Sequence, residues 1–297
     1  MLIFACPGQG SQTKGFLLGW LERYPSLSQK LSDYSNFCGR DLITLGTTAE
    51  EETIRDTANA QRLIVGASLA VFREVFGHRE FAGVLGHSVG EIAAAAIAGV
   101  ISDETAMKLV AVRADAMAKA AAQVPTSMAA VVGGDEKAVL QAIADCNLEP
   151  ANLNGAGQIV AAGSKDGIAK LIAAAPEKSR VIELKVAGAF HTSYMQSAVA
   201  VVGEFAQSIQ TQNPSCQLWS NSSGEKVESG SEFLQLLVAQ IARPVRWDKC
   251  MASVNQPEHR VIELPPAGAL TGLLKRGADK VHAIAIKEPA DVEKVDQ

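Results

Sequence analysis

The chain carries the sequence Val84-Leu85-Gly86-His87-Ser88-Val89-Gly90-Glu91, which leads directly into an alanine-rich segment, Ile92 to Ile101. This stretch has the Gly-x-Ser-x-Gly spacing of a nucleophile elbow, in which a strand turns sharply into a helix and presents a serine hydroxyl at the turn. Ser88 is therefore the candidate nucleophile. Gly86 and Gly90 flank the turn, where closely approaching backbone would leave no room for a Cβ atom.

The pentapeptide alone leaves two interpretations of Ser88 open. In the first, the helix after the turn directs its free N–H groups and its positive dipole end at the serine, so that an oxyanion formed there is stabilised. In the second, the segment is an ordinary strand-turn-helix connection and the serine is only an N-cap. Other parts of the chain have to decide between them.

Composition points to an enzyme-sized α/β protein. The 297 residues are 47% hydrophobic and 20% charged, with 5% aromatic residues and 25 glycines. Such a composition suits layers of helices on a sheet with tight turns better than a β-sandwich. The net charge of -5 and the lack of a basic block argue against a nucleic-acid-binding protein.

Cysteine usage and hydropathy suggest where the protein works. The cysteines are odd in number, widely spaced and without a Cys-x-x-Cys pair, which disfavours disulfides and zinc: Cys6, Cys38, Cys146, Cys216 and Cys250. Met1 to Pro7 is apolar but has no basic leader, and the longest apolar run is about half of the ~20 residues that span a membrane. We expect a cytoplasmic monomer with no membrane segment, no metal and no cofactor.

The chain outside its middle alternates strands and helices. Leu2 to Cys6 predicts a buried first strand, and later strands are expected at Gln217 to Ser220 and Val261 to Leu264. The charged residues Glu288 to Gln297 predict a loose end.

A compact unit with a different order of predicted strands and helices begins near Met128. Its predicted elements follow the order β-α-β-β-α-β, over Met128 to Val132, Asp135 to Asp145, Pro150 to Leu153, Gln158 to Ala162, Lys165 to Ala174 and Arg180 to Lys185. This order is the split βαβ pattern of ferredoxin-like folds. We therefore expect a small subdomain inserted into the larger one.

Arg113 is misplaced for a surface arginine. All of its neighbours one helical turn away are apolar: Leu109, Val110, Ala116 and Met117. Asp115, by contrast, has Lys119 within reach on the same helix. An arginine facing the core needs an anion, and its own helix supplies none. The anion is either a distant structural carboxylate or a carboxylate of the substrate, held by the guanidinium as a fork.

His191 is the candidate general base. Of the five histidines, four lie in turns, near the C-terminus or beside the elbow: His78, His87, His259 and His282. His191 follows the apolar segment Val186 to Phe190 at an expected strand-to-helix junction, a suitable position for proton transfer. A purely structural histidine is the alternative.

Taken in order, these motifs resemble those of the malonyl-CoA:acyl carrier protein transacylases of fatty-acid synthesis and the acyltransferase domains of polyketide synthases. The resemblance covers almost the whole chain, with matching segments at 7–12, 86–91, 113, 152–158, 191, 244–247 and 270–273. It implies an α/β fold with an α/β-hydrolase-like large subdomain, residues 1–124 and 188–297. A ferredoxin-like small subdomain, residues 125–187, would be inserted into it.

The resemblance also implies a catalytic set. Ser88 would attack the thioester of malonyl-CoA, and His191 would take its proton. The family orients this histidine through a backbone carbonyl, here near Gln240. Backbone N–H groups of Gln9 and Val89 would form the oxyanion hole.

The remaining implied residues bind the substrate. Arg113 would clamp the malonyl carboxylate, with Gln61 and Asn154 nearby, and Phe190 would favour malonyl over branched acyl groups. The implied partners are malonyl-CoA and acyl carrier protein. Arg62 departs from the proline of many relatives. Two other readings stay open: a serine hydrolase acting on acyl thioesters, and a non-catalytic module that docks carrier proteins.

Overall fold

Two sheets, one parallel and one antiparallel, organise the chain in this computed structural model, which describes all 297 residues. The strands are β1 (Leu2–Cys6), β2 (Gly83–Gly86), β3 (Thr126–Gly133), β4 (Glu149–Gly155), β5 (Gln158–Ser164), β6 (Ser179–Glu183), β7 (Gln217–Leu218), β8 (Arg260–Glu263) and β9 (His282–Ala285). The α-helices are α1 (Leu18–Arg23), α2 (Leu27–Cys38), α3 (Leu42–Thr47), α4 (Glu51–Arg55), α5 (Thr57–Val71), α6 (Gly90–Ile97), α7 (Asp103–Gln123), α8 (Glu136–Asp145), α9 (Lys165–Ala173), α10 (Gln196–Ala206), α11 (Gly230–Gln240), α12 (Trp247–Val254) and α13 (Ala269–Gly277).

The parallel sheet has the strand order β7-β2-β1-β8-β9, and the elbow follows β2 at the carboxyl ends of the strands. Its central strand β1 is buried from Ile3 to Cys6, as expected for a strand covered on both faces. Cys6 of β1 is in register with Gly86 of β2. The loop after β1 and the elbow after β2 therefore leave the sheet side by side at the carboxyl ends of the strands, where open α/β sheets bind their ligands.

The antiparallel sheet, with strand order β4-β5-β3-β6, confirms the predicted β-α-β-β-α-β succession. An apolar cluster of its own includes Val139 and Ile143 of α8 and Leu171 of α9. The hydrophobic faces of both helices are thus buried against this sheet.

Edge strand β4 also joins the antiparallel sheet to two loops outside it. Val245, just after α11, donates its N–H to Ala151 O and accepts from the Leu153 N–H, both at 2.9 Å. The carboxylate of Glu149 accepts from the N–H of Ser193 at 3.2 Å. Both loops are thereby fixed to one strand.

The C-terminal part of the chain differs from the sequence-based expectation. Strand β9 was not predicted, and β7 has two residues where four were expected. The expected loose end is wrong, because Pro289–Val295 forms a 3₁₀ helix and the Val295 side chain is buried. Glu288 and Asp291 form a capping box at its start, which is why so charged a segment is ordered.

Cysteines, apolar helices and metal-ligating side chains complete the description of the fold. All five cysteines are free thiols. None of the helices combines the length and the apolar character required to cross a bilayer. No three His, Cys, Asp or Glu side chains are grouped so that they could hold a metal ion.

Candidate active site

The elbow has the strained geometry that its sequence predicts. Ser88 has a φ of 52°, a left-handed conformation that is uncommon for a residue other than glycine. A Cβ atom at Gly86 would collide with the backbone of Gly90, and one at Gly90 would collide with Cys6 O. The close-approach explanation for both glycines is thus confirmed. The N-cap interpretation is wrong, because α6 has Val89 as its N-cap and no side chain caps it.

His191 lies against the Ser88 hydroxyl. Its Nε2 is 2.7 Å from Ser88 Oγ, and its Nδ1 is 2.8 Å from the backbone oxygen of Gln240. Because a carbonyl oxygen can only accept a hydrogen bond, Nδ1 carries the proton. Nε2 is then unprotonated and presents its lone pair to the serine. The residue has a φ of 63° and lies in the connection from β6 to a 3₁₀ turn, Ser193–Met195, that leads into α10, so the expected strand-to-helix junction is confirmed.

Burial, and after it the nearby charge of Arg113, lowers the pKa of His191 to about 3. The imidazole is therefore neutral over the physiological range and available as a proton acceptor.

Arg113 is buried and faces the same hydroxyl. Its guanidinium donates to Gln61 Oε1, to Gln240 Oε1 at 3.1 Å and to Ser88 Oγ at 3.4 Å. All three partners are neutral, and no carboxylate lies within the 4.0 Å of an ion pair. Burial lowers its pKa to about 10, so the group stays charged at neutral pH. The predicted core-facing orientation is confirmed. No carboxylate contacts the guanidinium directly; the buried Glu91 acts on it by charge and through the amide of Gln240.

Two further buried residues, Glu91 and Asn221, were given no role on sequence grounds. Asn221 Oδ1 accepts the N–H of Ser88 at 2.8 Å, and its Nδ2 donates to Gly86 O at 2.7 Å. Glu91 accepts the N–H of Asn221 and an N–H of the Gln240 amide. A carboxylate in an otherwise apolar helix was a signal for Glu91, whereas Asn221 belongs to no local pattern.

Burial raises the pKa of the Glu91 carboxyl to about 8, opposed by the N–H of Asn221 and the charge of Arg113. The ionised form is the one that fits the contacts, because each of its two oxygens faces an N–H donor.

Of the other sequence-predicted residues, some lie at the Ser88–Arg113 site and some make their contacts elsewhere. Neither Gln9 nor Val89 donates its backbone N–H to an acceptor in the protein, so both remain free beside the elbow. Gln61 contacts Arg113, as described above. Asn154 does not reach the serine: its side chain bonds His87 Nε2 and Gln158 Oε1, both at 3.1 Å. Phe190 is buried in the main core, next to His191 in sequence.

The arrangement is suited to one kind of chemistry. A serine hydroxyl has a neutral imidazole as its proton acceptor, free N–H groups lie beside the turn, and an unneutralised guanidinium stands 3.4 Å from the nucleophilic oxygen. Such a site can form an acyl-serine from an acyl group that itself carries a negative charge.

Comparison with known sequences gives a consistent result. The profile of the acyl transferase domain family matches residues 3–295. The malonyl CoA-acyl carrier protein transacylase of Mycobacterium tuberculosis is 46% identical over 302 residues, which cover 99% of this chain and 99% of that protein. The enzyme of the same name from Escherichia coli K12 is 31% identical over 296 residues, covering 97% and 96%.

Solved structures agree with the sequences. A crystal structure of the transacylase from M. tuberculosis superposes with a TM-score of 0.93 at 45% identity, over 100% of this chain and 99% of that one. A malonyl-transacylase solved in complex with its type II polyketide synthase acyl-carrier protein superposes with a TM-score of 0.90 at 28% identity, over 99% and 98%.

Proposed function

The chain belongs to the acyl transferase family, and on that premise we propose that it transfers malonyl groups from malonyl-CoA to the phosphopantetheine thiol of an acyl carrier protein. It would thereby supply units for fatty-acid or polyketide chain extension. The observation that carries the proposal is the meeting of a Ser88–His191 pair with the charged Arg113 head, which has only neutral partners.

The first half of the reaction loads the enzyme. His191 Nε2 takes the proton of Ser88 as Oγ attacks the thioester carbonyl carbon, and the free N–H groups of Gln9 and Val89 are placed to stabilise the oxyanion. The tetrahedral intermediate collapses with cleavage of the C–S bond. The CoA thiolate takes the proton back from His191, which leaves a malonyl-serine ester.

The second half reverses these steps. His191 takes the proton of the carrier thiol, whose sulfur attacks the ester carbonyl, and the proton returns to Ser88 Oγ as the ester bond breaks. The Gln240 carbonyl accepts from Nδ1–H throughout, which keeps the reactive lone pair aimed at the serine. The two thioester partners suffice, and the scheme requires no cofactor.

Arg113 accounts for the choice of acyl group. A malonyl carboxylate would replace weak neutral contacts of the guanidinium by a charge-assisted pair, with Gln61 steadying one of its nitrogens. Phe190, which precedes His191 in the sequence, would restrict the space for the acyl group and so favour malonyl over branched acyl groups.

The division of the chain follows the same proposal. Residues 1–124 and 188–297 would form the α/β-hydrolase-like subdomain and residues 125–187 the ferredoxin-like insertion. The antiparallel strand order β4-β5-β3-β6 supports the second assignment.

Intact-protein mass spectrometry after mixing with malonyl-CoA tests the loading step. The protein should gain one malonyl group, Ser88→Ala should gain none, and Ser222→Ala, which alters an exposed serine, should load normally. Addition of holo carrier protein should discharge the adduct to the carrier. A malonyl adduct on the Ser88→Ala protein would contradict the role of Ser88.

Turnover without a carrier tests the hydrolase alternative. The transferase should release one equivalent of CoA and then stop, whereas a hydrolase would release CoA continuously. Steady release at the rate of loading would overturn the transferase assignment.

A further inference from the structure

The Gln240 side chain connects Glu91 to Arg113. Its Nε2 donates to the Glu91 carboxylate, while its Oε1 accepts from Arg113 at 3.1 Å. The amide can stabilise the guanidinium only in this orientation, since a flipped amide would present N–H groups to N–H groups. Whatever fixes the amide therefore also fixes the position of Arg113.

Glu91 is the charged acceptor that sets this orientation, with Ser88 O and Asn221 Oδ1, each 3.3 Å from Gln240 Nε2, as weaker acceptors on the same side. Its two oxygens each face a donor: Oε1 accepts the backbone N–H of Asn221, and Oε2 accepts from Gln240. A carboxylate supplies two acceptors, whereas a neutral amide of the same shape supplies only one. The Asn221 N–H belongs to the backbone and cannot rotate away.

We propose that Glu91 is a positioning residue for substrate selection: it sets the orientation of the Gln240 amide and thereby holds the Arg113 head ready for the carboxylate of the acyl group. The inference rests on the proposed malonyl transfer. Glu91 touches neither Ser88 Oγ nor His191. Its contacts lead to Arg113 through Gln240 and to the elbow through Asn221, and the variants below separate the first route from the second.

Glu91→Gln is the most direct perturbation. The new side chain keeps one acceptor, which satisfies the fixed Asn221 N–H, and turns its NH₂ group towards Gln240. The Gln240 amide then either flips and loses its acceptor contact with Arg113, or stays and faces an NH₂ group. Both outcomes loosen the hold on the guanidinium. The link from Asn221 to the Ser88 N–H stays intact, so the elbow is not disturbed.

A double-mutant cycle of Glu91→Gln with Arg113→Met separates this pathway from a general effect. We expect Glu91→Gln to slow malonyl loading by about 10–100-fold, the cost of mispaired buried polar groups. In the Arg113→Met background the same substitution should change loading by no more than about twofold, because the guanidinium is already gone. Losses that multiply would overturn the proposal.

Labelling with a neutral fluorophosphonate gives a readout that does not use the carboxylate clamp. This reagent needs only Ser88 and His191, so its rate in Glu91→Gln should stay within about twofold of wild type. A parallel fall in labelling, malonyl loading and melting temperature would indicate a merely structural role and contradict the inference.

Gln240→Met provides a second route if Glu91→Gln folds poorly. It removes the amide but keeps the backbone carbonyl that orients His191. It should reduce malonyl loading as Glu91→Gln does, and by a larger factor than it reduces fluorophosphonate labelling; an unchanged loading rate would overturn the proposal. A wild-type protein that labels but takes up no malonyl group would refute the proposed function instead.

Discussion

Arg62 and Arg113 have the same side chain and the same burial, with 2% of each exposed, yet their surroundings are opposite. The Arg62 guanidinium bonds the backbone oxygens of Cys38, Ala58 and Ala111 and forms an ion pair at 2.6 Å with Asp115. Every part of its head has a partner. The expected pairing of Asp115 with Lys119 is wrong, because the buried charge of Arg62 holds the carboxylate instead.

Arg113 contacts two glutamine amides and one hydroxyl, and the one acid that acts on it, Glu91, is linked to it only through the amide of Gln240. A buried charge is costly unless it is paired, so a fold that needed only stability would supply an anion here as it does at Arg62. The contrast indicates that one arginine stabilises the fold, while the other is held ready for an anion that arrives with the substrate.

Replacing Arg113 should have the largest effect in this comparison. Arg113→Met should lower the rate constant of malonyl loading by about 10²–10³-fold, since it removes two charge-assisted hydrogen bonds to the acyl carboxylate. Loading from acetyl-CoA, which has no carboxylate, should be retained or rise. Stopped-flow or quenched loading assays with both thioesters measure the ratio. Equal losses for malonyl and acetyl groups would contradict the clamp.

Replacing Arg62 should act on stability instead. Arg62→Met should lower the free energy of unfolding by about 2–4 kcal/mol, because several buried carbonyl groups lose their donor. The folded fraction should still load malonyl at the wild-type rate. Urea unfolding gives the stability, and active-site titration gives the folded fraction. A selective loss of malonyl loading here would erase the distinction between the two arginines.

The pH dependence of Ser88 reactivity should respond to only one of the two arginines. His191 stays neutral down to acid pH, partly because Arg113 lies close by. Protonation abolishes its function as a base, so reactivity falls as the pH drops through its pKa. Arg113→Met removes a repelling charge, raises this pKa and should move the acid limb of fluorophosphonate labelling to higher pH. Arg62→Met should leave the limb where it is.

The smallest effect is expected at the exposed partner of Arg62. Asp115 is 59% exposed, so its ion pair is screened by water. Asp115→Asn should cost less than about 1 kcal/mol, since the three carbonyl oxygens still hold the guanidinium. Thermal or urea unfolding checks this value. A loss as large as that of Arg62→Met would mean that the carboxylate dominates the site.

Local patterns predicted the parts of the site that depend on local geometry. The glycines around Ser88 predicted a turn too tight for a Cβ atom. The apolar neighbours of Arg113 on its helix predicted that its side chain faces the core. The partners of these residues were beyond reach, because Asn221 and Gln240 come from segments more than 120 positions away from Ser88 or Arg113. Asn154 was assigned to substrate binding from the resemblance; its amide bonds His87 and Gln158, and its role towards the substrate stays a prediction.

Edge strand β4 anchors the histidine loop through Glu149 and Ser193, and it anchors the segment behind Gln240 through Val245. The loops that carry the imidazole and the carbonyl that orients it are therefore both fixed to strand β4. The 2.8 Å contact between them is thus supported from the antiparallel sheet, whereas the serine is supported from the parallel sheet. The 2.7 Å contact between base and nucleophile is therefore the point at which the two sheets meet in the catalytic pair.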